Sequence, residues 1–363
     1  MSEHAATIHA FDSLAALRVW RPGIFEPREH QNLFDNLAWF ETFLAYGLHP
    51  AQQRLILASD DARAGPAALF LVREGAMIRS ASSYYSALFG PVFAQPGGDA
   101  AQFAHALAEW LARERVVTLN LHPIEQQSSF WQVFSVALKA KGFTVHEYFA
   151  FGNCHHPTTG LDYAHYLASR PSRLRNTIGR TEAKLARDPG CTIEIVTASG
   201  EQLERAIDAY QHVYTHSWKS PELFSDFVPQ LCRVAAQQGW LRLGVLRLDG
   251  VPAAAQIWLV KNGVASIYKL AYDERFATRG VGTALSAALS RHVLDNDKVN
   301  EIDFLSGDDE YKREWMIQRR ERHGLIAYNK RTLSGLLGAT REVGKQLCKN
   351  MLSKLGLFPA RAQ

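Results

Sequence analysis

The chain has 363 residues, 47% of them hydrophobic and 21% charged, which excludes a disordered or fibrous protein and allows two domains, each with its own core. Apolar runs such as Ala67-Ala68-Leu69-Phe70-Leu71-Val72 fall far short of the roughly 20 residues that cross a bilayer, and Met1-Ser2-Glu3-His4 opens no secretory leader, so a cytoplasmic protein is expected. The net charge of +4 is uneven: residues 1–310 sum to −5 and the remainder to +9, which argues against a broad DNA- or RNA-binding surface and leaves a basic tail.

Arg54 to Ala58, Ala67 to Val72 and Ala76 to Ser80 read as a three-strand meander around turns at Asp60-Asp61 and Glu74-Gly75. A helix from Asp99 to Arg115 follows, with Phe103, Leu107, Trp110 and Leu111 on one face. Then come a strand from Val116 to Leu121, a helix from Ser128 to Lys141 and a strand from Phe143 to Phe151. The first of these helices is entered through Pro96-Gly97-Gly98 but begins on Asp99, whose carboxylate repels any phosphate there, so this half is expected to hold no nucleotide. Asn153 to Gly160 reads as a linker. A helical stretch from Tyr163 to Arg187 carries Arg170, Arg173, Arg175, Arg180, Lys184 and Arg187, either a solvated face or a grip on the phosphates of a bulky acceptor.

The second half repeats the grammar. Leu241, Leu243 and Val245 alternate with polar or small residues, Asp249-Gly250 turns the chain, and Ala253 to Val260 is a second strand. Asn262-Gly263 turns it again into a third strand, Val264 to Leu270. Val281, Leu285, Leu289 and Val293 recur every four residues along one helix stripe. Ile302 to Leu305 is a short strand, Asp308 to Met316 a helix, and Gly324 to Tyr328 a strand. The order βββ-α-β-α-β in both halves predicts an α/β fold with a mixed sheet, built as two similar halves. The expected division is 1–155, 156–330 and a basic amphipathic tail, 331–363. That tail, with Leu337, Val343, Leu347, Met351 and Leu355 near helical spacing, could dock on the body or lie on an anionic membrane surface.

The helix of the second half is opened by Arg279-Gly280-Val281-Gly282-Thr283-Ala284, an R-x-x-G-x-A loop. Consecutive amides at a helix N-terminus, free of side-chain bulk, suit a pyrophosphate, and so a nucleotide-bearing co-substrate. Scattered Cys154, Cys191, Cys232 and Cys348 lack a C-x-x-C, and Cys154-His155-His156 has no partners at ligand spacing, so reduced thiols and no metal are expected.

Lys269-Leu270-Ala271-Tyr272-Asp273, the glycine loop, Ile302-Asp303-Phe304 and then Gly307-Asp308-x-x-Tyr311-Lys312 together resemble the GNAT acyltransferase superfamily. More narrowly, they resemble the acetyltransferase-like group related to Fem-type peptidyltransferases and to a component of bacterial cellulose-biosynthesis clusters. The resemblance covers roughly residues 160–320; the Fem-type members are tandem GNAT folds, matching the duplicated order. It implies acetyl-CoA or another acyl-CoA as co-substrate and no metal. In it, Arg279, Gly280, Val281, Gly282, Thr283 and Ala284 hold the phosphates, and Leu270 and Ala271 lie along the donor.

The acceptor it implies is an amine or hydroxyl of a small molecule or saccharide in envelope or exopolysaccharide synthesis, met in the cytoplasm or at the inner membrane surface. Rival readings are a Fem-type transferase using charged tRNA, against which stands the lack of a long heptad arm, and a non-catalytic GNAT-fold subunit of a polysaccharide machine. Candidate catalytic residues are Asp308, to orient or deprotonate the acceptor or merely cap a helix, Tyr311, to protonate the departing thiolate or pack, and Lys312, to hold an acceptor anion or face solvent. Trp218 and Lys219 are candidates to wall the acceptor pocket. Asp303, a mid-strand carboxylate, either faces that cleft or pairs with an Arg or a backbone amide.

Overall fold

The computed structural model describes residues 6–22, 31–60, 65–95 and 99–354, with side chains through 344. In chain order, strand β1 (His9–Phe11) and helices α1 (Leu14–Trp20) and α2 (Leu37–Tyr46) precede β2 (Gln53–Ser59), β3 (Ala67–Glu74), β4 (Met77–Ser80) and the short β5 (Val92–Phe93). Next come α3 (Ala100–Arg113), β6 (Thr118–Ile124), α4 (Ser129–Ala140) and the long β7 (Phe143–Pro157). Helices α5 (Tyr163–Ala168) and α6 (Ser172–Leu185) lead to β8 (Cys191–Val196), α7 (Glu201–Thr215) and α8 (Phe227–Gln237). The chain then runs β9 (Leu241–Leu248), β10 (Val251–Lys261), β11 (Val264–Tyr272), α9 (Val281–Asp295), β12 (Glu301–Asp303), α10 (Glu310–Trp315), β13 (Gln318–Asn329) and α11 (Leu333–Lys354).

Two compact units divide the chain, and they interleave in sequence. One is Met1–Glu26, Pro50–Ala150 and Arg322–Gln363; the other is Pro27–His49 and Phe151–Glu321. This differs from the serial division expected at 155 and 330, and the reason lies in the strands that close each sheet. In the second unit, His155, His156 and Pro157 of β7 pair antiparallel with β12. In the first, His323 to Tyr328 of β13 pair antiparallel with β6. The segment read as a linker, Asn153 to Gly160, is therefore strand as far as Pro157. Nor is the stretch from Tyr163 to Arg187 one helix: Pro171 stands between α5 and α6, having no N–H to continue a ladder.

The first unit is a meander β1-β2-β3-β4 whose last strand runs parallel to β6, from Met77 opposite Thr118 to Arg79 opposite Asn120. At its C-terminal end, α11 lays Gly338 where a Cβ would strike the Tyr328 ring at 2.5 Å, so the helix docks there while Leu333 and Leu337 point outward. The tail side chains from 345 on lie outside the described residues, as do Pro96, Gly97, Gly98 and Asp61.

The second unit is the antiparallel ladder β8-β9-β10-β11, with β12 parallel to β11. Both hairpins turn on the pairs read from the sequence, with Asp249 and Gly250 at φ of 49° and 78° and Asn262 and Gly263 at 51° and 72°. Helix α9 packs its Leu285 and Leu289 against β9 at Gly244, where a Cβ would come within 3.0 Å of both. These leucines and Val293, Trp258 and Ile302 are buried in one core, each such side chain contributing about 1.5–3 kcal/mol. Helix α2 joins this unit through Trp39 and Phe43, which set their rings edge-on to Phe227 of α8, each at 5.9 Å. Among the described residues no helix is long and apolar enough to cross a membrane.

Candidate active site

The site begins where two strands part. Strands β11 and β12 pair only from Val264 opposite Glu301 to Ser266 opposite Asp303. Beyond Asp303 the chain stays with the segment before β7's end: the Phe304 N–H donates to the Cys154 carbonyl and the Gly307 N–H to that of Gly152, both at 2.9 Å. Strand β11 runs on to Tyr272, so its edge from Ile267 onward has no strand beside it among the described residues. The divergence is helped by a bulge, because Lys269 faces Ile257 while Ile267 faces Trp258, leaving Tyr268 as the extra residue. Leu270 and Ala271 pair with Gln256 and Ala255 on their other edge.

Directly after β11 a short 3-10 turn delivers the chain to Gly280, which adopts φ of 72° and stands at the N-cap of α9. No side chain caps this helix. The regular ladder starts with the Ala284 N–H donating to the Gly280 carbonyl at 3.0 Å, which leaves the amides of Val281, Gly282 and Thr283 as the unpaired donors of a helix start. Both glycines are tightly lined: a Cβ on Gly280 would lie 2.8 Å from Thr181 of α6, and one on Gly282 would lie 3.2 Å from the Tyr272 ring. Uncapped amides in a cradle that a side chain would fill fit an anionic, phosphate-bearing group. Arg279 is placed otherwise than expected. Its guanidinium donates to Asp188 at 2.5 Å, so it anchors the loop to the end of α6 instead of standing free for phosphates.

Behind this helix start runs a buried polar chain. Trp258 Nε1 donates to Gln256 Oε1 at 2.9 Å, and Gln256 Nε2 donates both to Ser286 Oγ at 2.8 Å and to the Gly282 carbonyl at 3.1 Å. Ser286 Oγ in turn lies 3.2 Å from the Tyr311 hydroxyl. Tyr311 thus reaches from α10 to α9, with its ring against Phe304 and Trp315. Burial pushes its pKa up to about 12, so the hydroxyl keeps its proton through the neutral range.

The remaining candidates fall on either side of the gap. Asp309, not Asp308, caps α10 by accepting from the Lys312 N–H. Asp308 accepts from Arg319 at 2.6 Å and faces Arg313 at 3.6 Å; the Arg319 hydrogen bond, with both guanidinium charges, holds its carboxyl below the usual range, which makes it a poor base. Lys312 Nζ donates to the Ser306 carbonyl and lies 3.7 Å from Asp309. Asp303 is buried among its own partners: Arg320, Asn153 and the Leu305 N–H, which donates at 2.6 Å. These partners occupy it, so it serves to fix β12, not to line an acceptor pocket. Trp218 is 49% exposed and leans on Tyr272, with ring centroids 4.6 Å apart. Lys219 is half-buried, its Nζ 5.6 Å from the Trp218 ring and 6.0 Å from that of Tyr214.

Sequence reasoning missed Gln256 and Ser286, Asn153 and Arg320, and the half-buried pair Lys269–Glu222 at 2.9 Å. A polar Gln256 within the apolar run Ala253 to Val260 was the one signal for the first pair. It also missed that His212, His216 and Asp273 bring ligand atoms within 4.8 Å of one another. Both Asp273 oxygens accept from Arg275, however, so that carboxylate is already neutralised. Cys154, His155 and His156 lie in strand β7, not in a loop; His155 faces Glu301 at 3.5 Å, and burial lowers the pKa of His156 to about 4.

Residues 172–313, which hold the gap, the α9 start and Tyr311, match the acetyltransferase (GNAT) domain family. No curated protein sequence matches the chain. Among solved structures, FemX is 12% identical with a TM-score of 0.58, covering 88% of this chain and 97% of its own. A conserved protein of unknown function from Bacteroides thetaiotaomicron VPI-5482 is 12% identical with a TM-score of 0.56, covering 89% and 100%. L-PGS from Bacillus licheniformis is 13% identical with a TM-score of 0.51, covering 87% and 99%. At these identities the likeness is one of fold. The domain match makes the chain an enzyme of the acyltransferase class. Residues 172–313 are thus a GNAT-type acetyltransferase domain, and the likeness of the whole chain to FemX is one of fold.

Proposed function

We propose that the second unit transfers an acyl group, acetyl in the simplest case, from an acyl-CoA to an amine or hydroxyl of a small molecule or saccharide. The observation that carries this reading is the uncapped, glycine-opened start of α9 beside the unpaired edge of β11, with the protonated Tyr311 hydroxyl tied to the same helix. The residues that would hold the donor are Val281, Gly282 and Thr283, through their amides, and Leu270 and Ala271, through the free edge of β11. A bound thioester supplies an activated acyl carbon; the protein supplies position and charge. Backbone amides along the β11 edge stabilise the oxygen on which negative charge gathers. Tyr311 holds a proton for the departing sulfur, and Ser286 keeps that hydroxyl in place. Arg279 and Asp188 lock the loop, and Gln256 ties it to β10 through the Gly282 carbonyl. An acceptor from envelope or exopolysaccharide assembly is proposed on the resemblance of the motifs.

The test is calorimetric titration with acetyl-CoA, longer acyl-CoAs and free CoA, coupled to thiol release with amine and amino-sugar acceptors, with and without ribonuclease. Binding at one site per chain and ribonuclease-resistant thiol release are expected. No binding of any acyl-CoA overturns the reading, and activity lost to ribonuclease moves the enzyme to aminoacyl transfer from charged tRNA.

A further inference from the structure

The acceptor's charge can be argued from the face of the sheet opposite α9. Along β11 side chains alternate, and Leu270 and Tyr272 pack into the core that holds Val281 and Leu285 of α9. Lys269, one residue before Leu270 and out of phase with both, points the other way and pairs with Glu222 beneath the ring of Tyr214 on α7, its Nζ 5.9 Å from the centroid. Lys219 sits against the same ring from the following loop, with Trp218 as its second wall. The nearby Glu222 carboxylate is engaged by Lys269, and among the described residues Lys219 has no carboxylate within ion-pair distance. A half-buried ammonium between two aromatic rings, with further ammoniums on β11 and α10, is costly unless an anion comes to it.

We propose that the acceptor carries an anionic group, a carboxylate or a phosphate, beside its nucleophile, and that Lys219 binds this group against Tyr214 and Trp218. The inference rests on the acyl-transfer reading. It assigns the anion to the acceptor because the donor's phosphates belong at the α9 start, from which the rings of Trp218 and Tyr272, packed one on the other, separate Lys219. Three groups act on Lys219 from the surrounding elements, Tyr214 on α7, Lys269 on β11 and Lys312 on α10, while Glu222 in the loop before α8 is paired with Lys269. Burial first, then Lys269 and Lys312, bring its pKa down to about 8, so its charge and the affinity for the anion are present below that pH and fade as pH rises through it. The electrostatic grip also weakens with salt.

The experiment compares matched acceptors: an amino acid with its decarboxylated amine, and an amino sugar with its phosphate ester, in acetyl-CoA-dependent thiol release. The anionic member of at least one pair should show a KM at least tenfold lower, and the pair that shows it tells carboxylate from phosphate. Lys219→Met should erase the preference while leaving the acetyl-CoA Kd unchanged, and Lys219→Arg should keep part of it. Equal KM values within both pairs, or a preference that survives Lys219→Met, overturn the proposal. A second measurement does not depend on acyl transfer: labelling of Lys219 by an amine-reactive reagent at pH 8, read by mass spectrometry. Inorganic phosphate or acetate should protect it, chloride at equal ionic strength should not, and absence of protection by either anion overturns the anion site even if acyl-CoA turnover is found.

Discussion

Both units contain a parallel strand pair that ends and opens, its two strands joined through a helix, and they finish it differently. In the first unit the pair β4 and β6 ends at Arg79 opposite Asn120, and the chain folds back over the opening. Ser80 and Ser82 both donate to the His122 carbonyl, at 2.8 and 2.5 Å, and the Phe89 N–H donates to the Pro123 carbonyl at 2.6 Å. Its helix α3 is capped by its own Asp99, which accepts from the Gln102 N–H at 2.9 Å. In the second unit the edge of β11 stays open and α9 begins on a glycine without a cap. The second unit leaves three amides and a strand edge unpaired, and on the proposed acyl-transfer reading these separate a half that binds the donor from one that does not.

The largest effect that would sharpen this contrast is chemical. Tyr311→Phe removes the proton held beside Ser286 while keeping the ring against Phe304 and Trp315. Turnover should fall about 100-fold with the acyl-CoA Kd unchanged, as steady-state rates and titration would show. Full turnover would leave Tyr311 a packing aromatic and the active half without its acid. Next is Gly282→Glu, which puts bulk against the Tyr272 ring and negative charge at the helix start. Acyl-CoA affinity should drop at least tenfold, about 1.4 kcal/mol, in calorimetry on a variant whose circular dichroism is native. Undiminished binding would place the phosphates elsewhere.

Asp308→Asn should matter less. Since Asp309 provides the cap and Arg319 holds the Asp308 carboxylate, turnover should stay within about threefold of the parent, and acceptor KM should change no more than that. A drop of two orders of magnitude would restore Asp308 as the group that orients or deprotonates the acceptor.

How much of this was legible depended on whether the signal was local. The α9 stripe, both glycine turns, the glycine loop and the strand order rest on spacing within a few residues, and the sequence carries them openly. The polar run Asn153 to Gly160 has the composition of a linker, yet it closes a sheet because its partner, β12, lies some 145 residues away in the chain. The same holds for Arg279, whose tie to Asp188 spans 91 residues, and for the Lys269–Glu222 pair, which spans 47. Asp99 was legible only as a charge that repels phosphate; that it also caps α3, accepting from the Gln102 N–H, shows in the structure.

That residue also gives the smallest expected effect. Asp99→Asn removes the charge that was expected to bar a phosphate from the first unit, but it keeps a cap of equal quality, so stability should change by no more than a few tenths of a kcal/mol. If charge alone silenced this half, the variant would bind a second acyl-CoA. The closed opening says otherwise: with Ser80 and Ser82 bonded to the His122 carbonyl and Phe89 bonded to Pro123, no strand edge is free there among the described residues for a donor to follow. Calorimetry on Asp99→Asn should therefore still give one acyl-CoA per chain with the parent's Kd. A stoichiometry of two would break the comparison, because it would mean that one carboxylate, and not the loop folded over the strand gap, separates the silent half from the active one.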